Sequence, residues 1–306
     1  MVILLCKRLA QAFLILLGVA AITFVLLYAL PADPARMIAG RSATAQTVAS
    51  IRHELGLDQP LLVQFWTYLT GLLQGDLGRS YAQKTEVWTL IAARLPATLT
   101  LMAAGICVEV VLGITFGTVA AVRRGSFVDR LVMTASFVGV SAPQFVAALL
   151  LLYVFAVTLG WFPMSGYGSF AHIVLPALTL GILGAGWYAR MVRSAMIEVL
   201  NQDYVRTARA KGLSSRRIIF RHALPNAILP IIAMIGIDIG QFMGGVVVVE
   251  AVYGWPGIGQ LAWQAIQQVD IPIIMGVTLT SALAIVAGNL LADLIAPVID
   301  PRIRTS

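Results

Sequence analysis

Three carboxylates, Glu109, Asp238 and Asp293, each fall inside a long run of apolar residues. An ionisable side chain placed in hydrocarbon is costly, so such residues mark either a polar path through a membrane or a hydrogen bond between helices. No Lys or Arg lies deep enough in those runs to pair with them. Asp238 leads as a pathway candidate because it sits within Gly236-x-x-x-Gly240-x-x-x-Gly244, spacing that lets another helix backbone approach. The alternative for each acid is a contact between helices or with a second subunit. A further chemical feature is the basic, helix-forming stretch 203–225, flanked on both sides by apolar sequence. Its cations suit a partner protein or anionic lipid headgroups.

Several chemistries are excluded. No Gly-x-x-x-x-Gly-Lys-Ser/Thr phosphate loop occurs, so the chain has no recognisable cradle for ATP. His53-Glu54 lacks the second His of a zinc-protease helix, and His172 and His222 are scattered, so no metal site is expected. Ser141, in Gly139-Val140-Ser141-Ala142-Pro143, lacks the second Gly of a nucleophile elbow. Cys6 and Cys107 are far apart and give neither a disulfide framework nor a metal knuckle. No catalytic residue and no cofactor bound by this chain are expected.

The elements that must position these residues are membrane helices. Of 306 residues 59% are hydrophobic and 11% charged, and a mean hydropathy of +0.89 leaves too little polar surface for a soluble globule. Runs long enough to cross a bilayer, about 20 residues, occur at 9–30, 97–121, 131–159, 173–189, 226–249 and 273–295. The expected fold is therefore all-α, six transmembrane helices with an external helical lobe. The first run exceeds a signal-peptide core and reads as a retained helix. The fourth is the shortest and carries Pro176, Gly181, Gly184 and Gly186; Pro143 marks a packing kink in the third. Lys7, Arg8, Arg123, Arg124, Arg130, the cations between 190 and 221, Arg302 and Arg304 all fall on one side. The positive-inside rule makes that side, with both termini, cytoplasmic. The net charge of +7 thus reports orientation, not nucleic acid binding.

Three parts follow: 1–30, an N-terminal segment with the first helix; 31–96, the external lobe; and 97–306, a core of five helices with a cytoplasmic loop at 190–224. In the lobe, Val48, Ile51 and Leu55 recur at helical spacing, and Leu62, Phe65, Trp66 and Leu69 form a second stripe. The alternatives are a passive connector and a docking surface or lid for a substrate-delivery protein, and a loop of this length with structure of its own favours the second. In the cytoplasmic loop Met196, Leu200, Tyr204, Ala208 and Gly212 recur every fourth residue, a single stripe if 196–211 is one helix. Small Ala208 and Gly212 would admit a partner backbone, and Gly212 suits the left-handed turn that ends a helix. A second short helix then leads to Pro225. Beyond the fifth span, Trp255, Pro256, Gly257 and Gly259 stop a helix and open an external loop, in which Leu261, Ala262, Ala265 and Ile266 predict a short amphipathic helix. That loop is a candidate external gate, or an interfacial anchor held by Trp255 and Trp263.

Residues 203–213, Asp-Tyr-Val-Arg-Thr-Ala-Arg-Ala-Lys-Gly-Leu, with Leu224-Pro225 further on, resemble the coupling loop of ABC importer permeases in its dipeptide, oligopeptide, glutathione and nickel variant. The triplet is Arg206-Thr207-Ala208 where the general motif has Glu-Ala-Ala. Pro31-Ala32-Asp33-Pro34-Ala35, Leu55-Gly56-Leu57-Asp58-Gln59-Pro60, the run Glu250–Gly259 and the ending Asp300–Arg304 agree with the same group. The resemblance implies a type I, binding-protein-dependent importer in a bacterial inner or plasma membrane. This chain would be the first permease of a heterodimer with a second homologous permease, two cytoplasmic ATP-binding subunits that hold ATP and Mg, and a periplasmic or lipid-anchored substrate-binding protein. It further implies that Tyr204, Arg206, Thr207, Ala208, Arg209, Lys211, Gly212, Leu224 and Pro225 couple the spans to those ATPases. The cargo implied is dipeptides or short oligopeptides, with nickel or metal chelates, glutathione or opines as the alternative. A different class is a stand-alone proton-coupled transporter or channel that uses the intramembrane acids.

Overall fold

The computed structural model describes residues 2–29, 34–40 and 43–299. Pro31, Ala32 and Asp33 of the first motif and the ending Asp300–Arg304 lie outside them, as do the side chain of Asp293 and the surroundings of Gly244. In order, the helices are α1 (Val2–Ala29), α2 (Pro34–Ala39), α3 (Ala45–Glu54), α4 (Leu61–Leu73), α5 (Val87–Val122), α6 (Phe127–Ser141), α7 (Gln144–Leu151) running into a π-helical stretch at Leu152–Thr158, and α8 (Phe170–Leu200). They continue with α9 (Asp203–Ala210), α10 (Ser215–Arg217), a second π-helical stretch at Ile218–Ala223, α11 (Leu224–Ala227), α12 (Leu229–Gly245), α13 (Val247–Tyr253), α14 (Ile258–Gln268) and α15 (Ile271–Ile299). Among the described residues the one extended pairing is the bridge of Arg79 with Glu86.

Four helices, α1, α5, α8 and α15, are each long and apolar enough to cross a membrane unbroken. Two bent pairs join them: α6 with α7 and its π-helical extension at 106°, and Ser215–Ala227 with Leu229–Met243 at 43°. With each pair taken as one crossing, the number is the expected six. The third span is corrected from a kinked helix to a break. Ala142 is extended, with ψ of 132°, because the residue before a proline is pushed out of the helical region, and Pro143 opens α7. The fourth span is the opposite case, for α8 runs 31 residues to Leu200 and takes up the first part of the expected 190–224 loop. The second helix begins at Val87, so 87–96 of the expected lobe belongs to α5.

The chain divides into two compact units, Met1–Thr98 with Met243–Val247 and Pro256–Val286, and Leu99–Phe242 with Val248–Trp255 and Ala287–Ser306. In the first, Phe24 of α1 meets Ile271 and Met275 of α15, with Phe65 and Tyr68 of α4 and Tyr81 packed around them. The predicted α4 stripe divides: Phe65 stands 5.1 Å from Phe24, ring to ring, whereas Leu62 and Trp66 are exposed. In the second unit α8 is the central helix, and glycine is what admits its neighbours. A Cβ on Gly113 or Gly117 of α5 would stand 2.1 Å from Tyr188 Cβ or 2.6 Å from the Ala189 carbonyl. One on Gly181 or Gly186 of α8 would strike Val108 or the Ser136 carbonyl of α6. These glycines are close-approach points in the fold, since small residues let membrane helices pack backbone to backbone.

Candidate functional site

The basic elbow is built on its own small core. The single stripe expected over 196–211 does not form: α8 stops at Leu200, Gln202 is extended (ψ 152°), and α9 restarts at Asp203. Val205, Ala208 and Ile218 are buried together, with Leu200 and Leu213 against them. Ala208 therefore faces inward, 6% exposed, which corrects its expected place on a surface open to a partner backbone. Gly212 follows α9 at φ +76° with nothing within 4 Å of where a Cβ would stand. Its left-handed backbone, not crowding, is what calls for glycine. Tyr204 is fixed from behind: its hydroxyl donates to the His222 carbonyl at 3.3 Å and accepts from Asn226 Nδ2 at 3.2 Å. Leu224 packs beside the Val192, Met196 and Ala223 cluster, and Pro225 is exposed at the start of α11.

Outward from that core point Arg206, Thr207, Arg209, Lys211, Arg216, Arg217 and Arg221, with Phe220 60% exposed among them. Guanidinium groups in such an array recognise carboxylates in bidentate fashion. Arg216, Arg217 and Phe220, which line one shallow depression with Ser214, went unremarked in the sequence, although an aromatic beside paired arginines was a usable signal.

Among the intramembrane acids, Glu109 is 3% exposed and its side chain occupies the notch at Gly184, where a Cβ would fall 1.5 Å from Oε1. Its Oε2 has no hydrogen-bond partner among the described residues. Asp238 accepts a hydrogen bond from the Tyr188 hydroxyl. Tyr188 lies one turn along α8 from Gly184, so the structure brings Glu109 and Asp238 to the same helix. The glycine stripe does not position Asp238, which lies about 200° round α12 from Gly236. Facing α15 at this level is Ile239, whose Cγ2 would lie 2.9 Å from a Cβ on Gly288, with the Gly236 carbonyl at 3.4 Å; Gly240 is buried.

Sequence reasoning missed a long-range ion pair. Asp129, 4% exposed, accepts from Arg193 Nε at 2.6 Å and Nη2 at 2.8 Å, and from the Gly125 N–H at 2.9 Å. The two residues are 64 positions apart, and only packing of α6 on α8 makes them neighbours. In the predicted gate, Trp255 is 2% exposed and edge-on to Tyr167 at 4.8 Å, which removes it as an interfacial anchor; Trp263 is 48% exposed. The expected short helix is α14, with Gly257 extended at its start and Gly259 buried. The chain passes from one unit to the other between Trp255 and Pro256.

Residues 113–305 match the family described as binding-protein-dependent transport system inner membrane component, and residues 1–102 match its N-terminal companion. The glutathione transport system permease protein GsiC of Salmonella paratyphi A is 43% identical over 298 residues, 97% of each chain. Its counterpart in Escherichia coli K12 is 41% identical over the same lengths. Among solved structures, the inward-facing MetNI methionine ABC transporter superposes with a TM-score of 0.56 at 22% identity, covering 69% of this chain and 97% of that one, a likeness of fold. Matched by the family model over more than half its length and by relatives above 40% identity over nearly all of it, the chain belongs to the binding-protein-dependent inner-membrane permeases and is the membrane-spanning subunit of an ABC importer.

Proposed function

We propose that this chain is the first permease of a heterodimeric importer whose cargo is glutathione or a closely similar short peptide, with both termini in the cytoplasm. Similarity to GsiC over 97% of both chains carries the cargo assignment, and it favours the glutathione alternative over the dipeptides that the motifs first suggest. The basic elbow of α9 to α11 is the surface for one of the two ATP-binding subunits, with Gly212 and the exposed Tyr204, Arg206, Thr207, Arg209 and Lys211 in contact and Ala208, Leu224 and Pro225 shaping the backbone. A loaded binding protein delivers cargo on the external side. For ATP-driven closure to reach the spans, the elbow must bind the closed and open states of the motor with different affinity.

The cargo is tested by uptake. A strain lacking its own glutathione importer receives this chain with its partner genes, and labelled glutathione is followed with unlabelled glutathione or dialanine as competitor. Uptake blocked by glutathione and not by the dipeptide is the expected result; the reverse returns the cargo to dipeptides. Uptake by the lone subunit in liposomes without ATPase partners would refute the importer role in favour of a channel or proton-coupled carrier.

A further inference from the structure

Within the first unit, α14 is held at its start, along its flank and at its end, each time by residues between 80 and 98. At the start, the Ile258 N–H donates to Thr98 Oγ1 at 2.8 Å, where Thr98 is 1% exposed. Along the flank, Arg94 donates to Gln260 and Gln264, one helical turn apart, at 3.3 and 3.4 Å. At the end stands Asp270, fully buried. Its carboxylate accepts from Ser80 Oγ at 2.5 Å and from the N–H groups of Tyr81 and Ala82 at 3.1 and 3.0 Å. Ser80 Oγ in turn accepts from the Gln83 N–H at 2.8 Å, which closes the 80–83 turn around the acid.

Val269, just before it, has φ +50°. A β-branched residue in the left-handed region is strained and persists only where its surroundings enforce it. The α14 C-terminal turn is thus imposed from outside, by a carboxylate bound to a loop 190 residues earlier. Hydrogen bonds to a charged group in a buried site are among the stronger fastenings a protein has.

We infer that Asp270 is a positioning residue for transport: it fastens the end of α14 to the 80–82 turn of the lobe, while Arg94 and Thr98 hold the flank and start of α14 to the first turns of α5, so that this turn, the start of α5 and α14 move as one body. A load placed on the lobe is then delivered to α14 through these hydrogen bonds, not along the chain through Trp255–Gly257. This rests on the permease role proposed above and adds the part that receives the binding protein's signal.

The complete transporter in nanodiscs is assayed for ATP hydrolysis with and without the loaded binding protein. Asp270→Ala is expected to lower the ratio of stimulated to basal hydrolysis about tenfold. Asp270→Asn, which keeps one acceptor oxygen for Ser80, should lower it roughly threefold, and Arg94→Met with Thr98→Val should reproduce a loss of that order. A merely structural role would reduce the amount of assembled complex and leave the ratio unchanged in what assembles, which overturns the inference; full stimulation in Asp270→Ala does so too. Should a variant fail to assemble, hydrogen exchange on the wild type decides: amides of Tyr81, Ala82 and α14 must change together when the binding protein docks, and a change in one set alone sinks the proposal. A wild type that hydrolyses ATP but is never stimulated removes the permease role instead, a separate failure.

Discussion

At the scale of the residue, the space that one glycine leaves decides where a membrane-buried acid can sit. Gly184 has no side chain, and Glu109 fills the room, with Oε1 1.5 Å from the position a Cβ would take. Glu109 is nearly wholly buried, so it has little freedom to withdraw. Gly184→Ala is expected to destabilise the permease by about 1–3 kcal/mol, as overpacking does, and to be read as a lower melting temperature in detergent. Glu109→Ala on top of it empties the notch and should restore the melting temperature. If the double variant melts no higher than Gly184→Ala, the collision is not the cause. The glycines themselves stand out in the sequence, but their partners do not: a glycine read as a helix breaker and a glycine read as a contact point look the same until the opposing helix is in place.

At the scale of the element, the Asp129–Arg193 pair ties the first turn of α6, and through the Gly125 N–H the turn before it, to the part of α8 that leads into α9. Under the proposed coupling role, motion received by the elbow is shared between two spans. Asp129→Ala takes the acceptor from the partly exposed Arg193 guanidinium and from the Gly125 N–H, so it should cost about 1–3 kcal/mol and lower the amount of cargo moved per ATP. The exchange Asp129→Arg with Arg193→Asp restores opposite charges but not the Gly125 bond, and a partial recovery of transport per ATP is expected; no recovery would mean the pair acts only on stability. In the sequence Arg193 reads as one more loop cation. Its partner was invisible because 64 residues of chain separate them.

For the whole molecule, the proposed coupling depends on the surface that the elbow offers to another protein. Gly212 is the position where the outside surface can be changed without touching the core, since nothing lies within 4 Å of its missing side chain. Gly212→Val strains a left-handed turn and puts a branched side chain on the docking face. Uptake by the reconstituted transporter is expected to fall about tenfold or more, the equivalent of a 1.4 kcal/mol loss, with the complex still assembled and ATP still hydrolysed. Uptake and binding-protein-stimulated hydrolysis both at wild-type level would show that the elbow does not couple.

What the sequence by itself determined was everything carried by local composition and spacing. The count of apolar runs, the short α14 and the left-handed turn at Gly212 all follow from neighbours along the chain, because bilayer thickness and backbone sterics act locally. The motif at 203–213 added the family. Only the tertiary structure decided which residues meet: that Ala208 turns into a core of Val205 and Ile218, that Asp238 finds Tyr188 and not a helix across the glycine stripe, that Pro143 breaks a span through 106°, and that Asp270 closes on Ser80. Each of these depends on segments distant in sequence. Hydrogen bonds and close packing act only between surfaces that folding has already brought together.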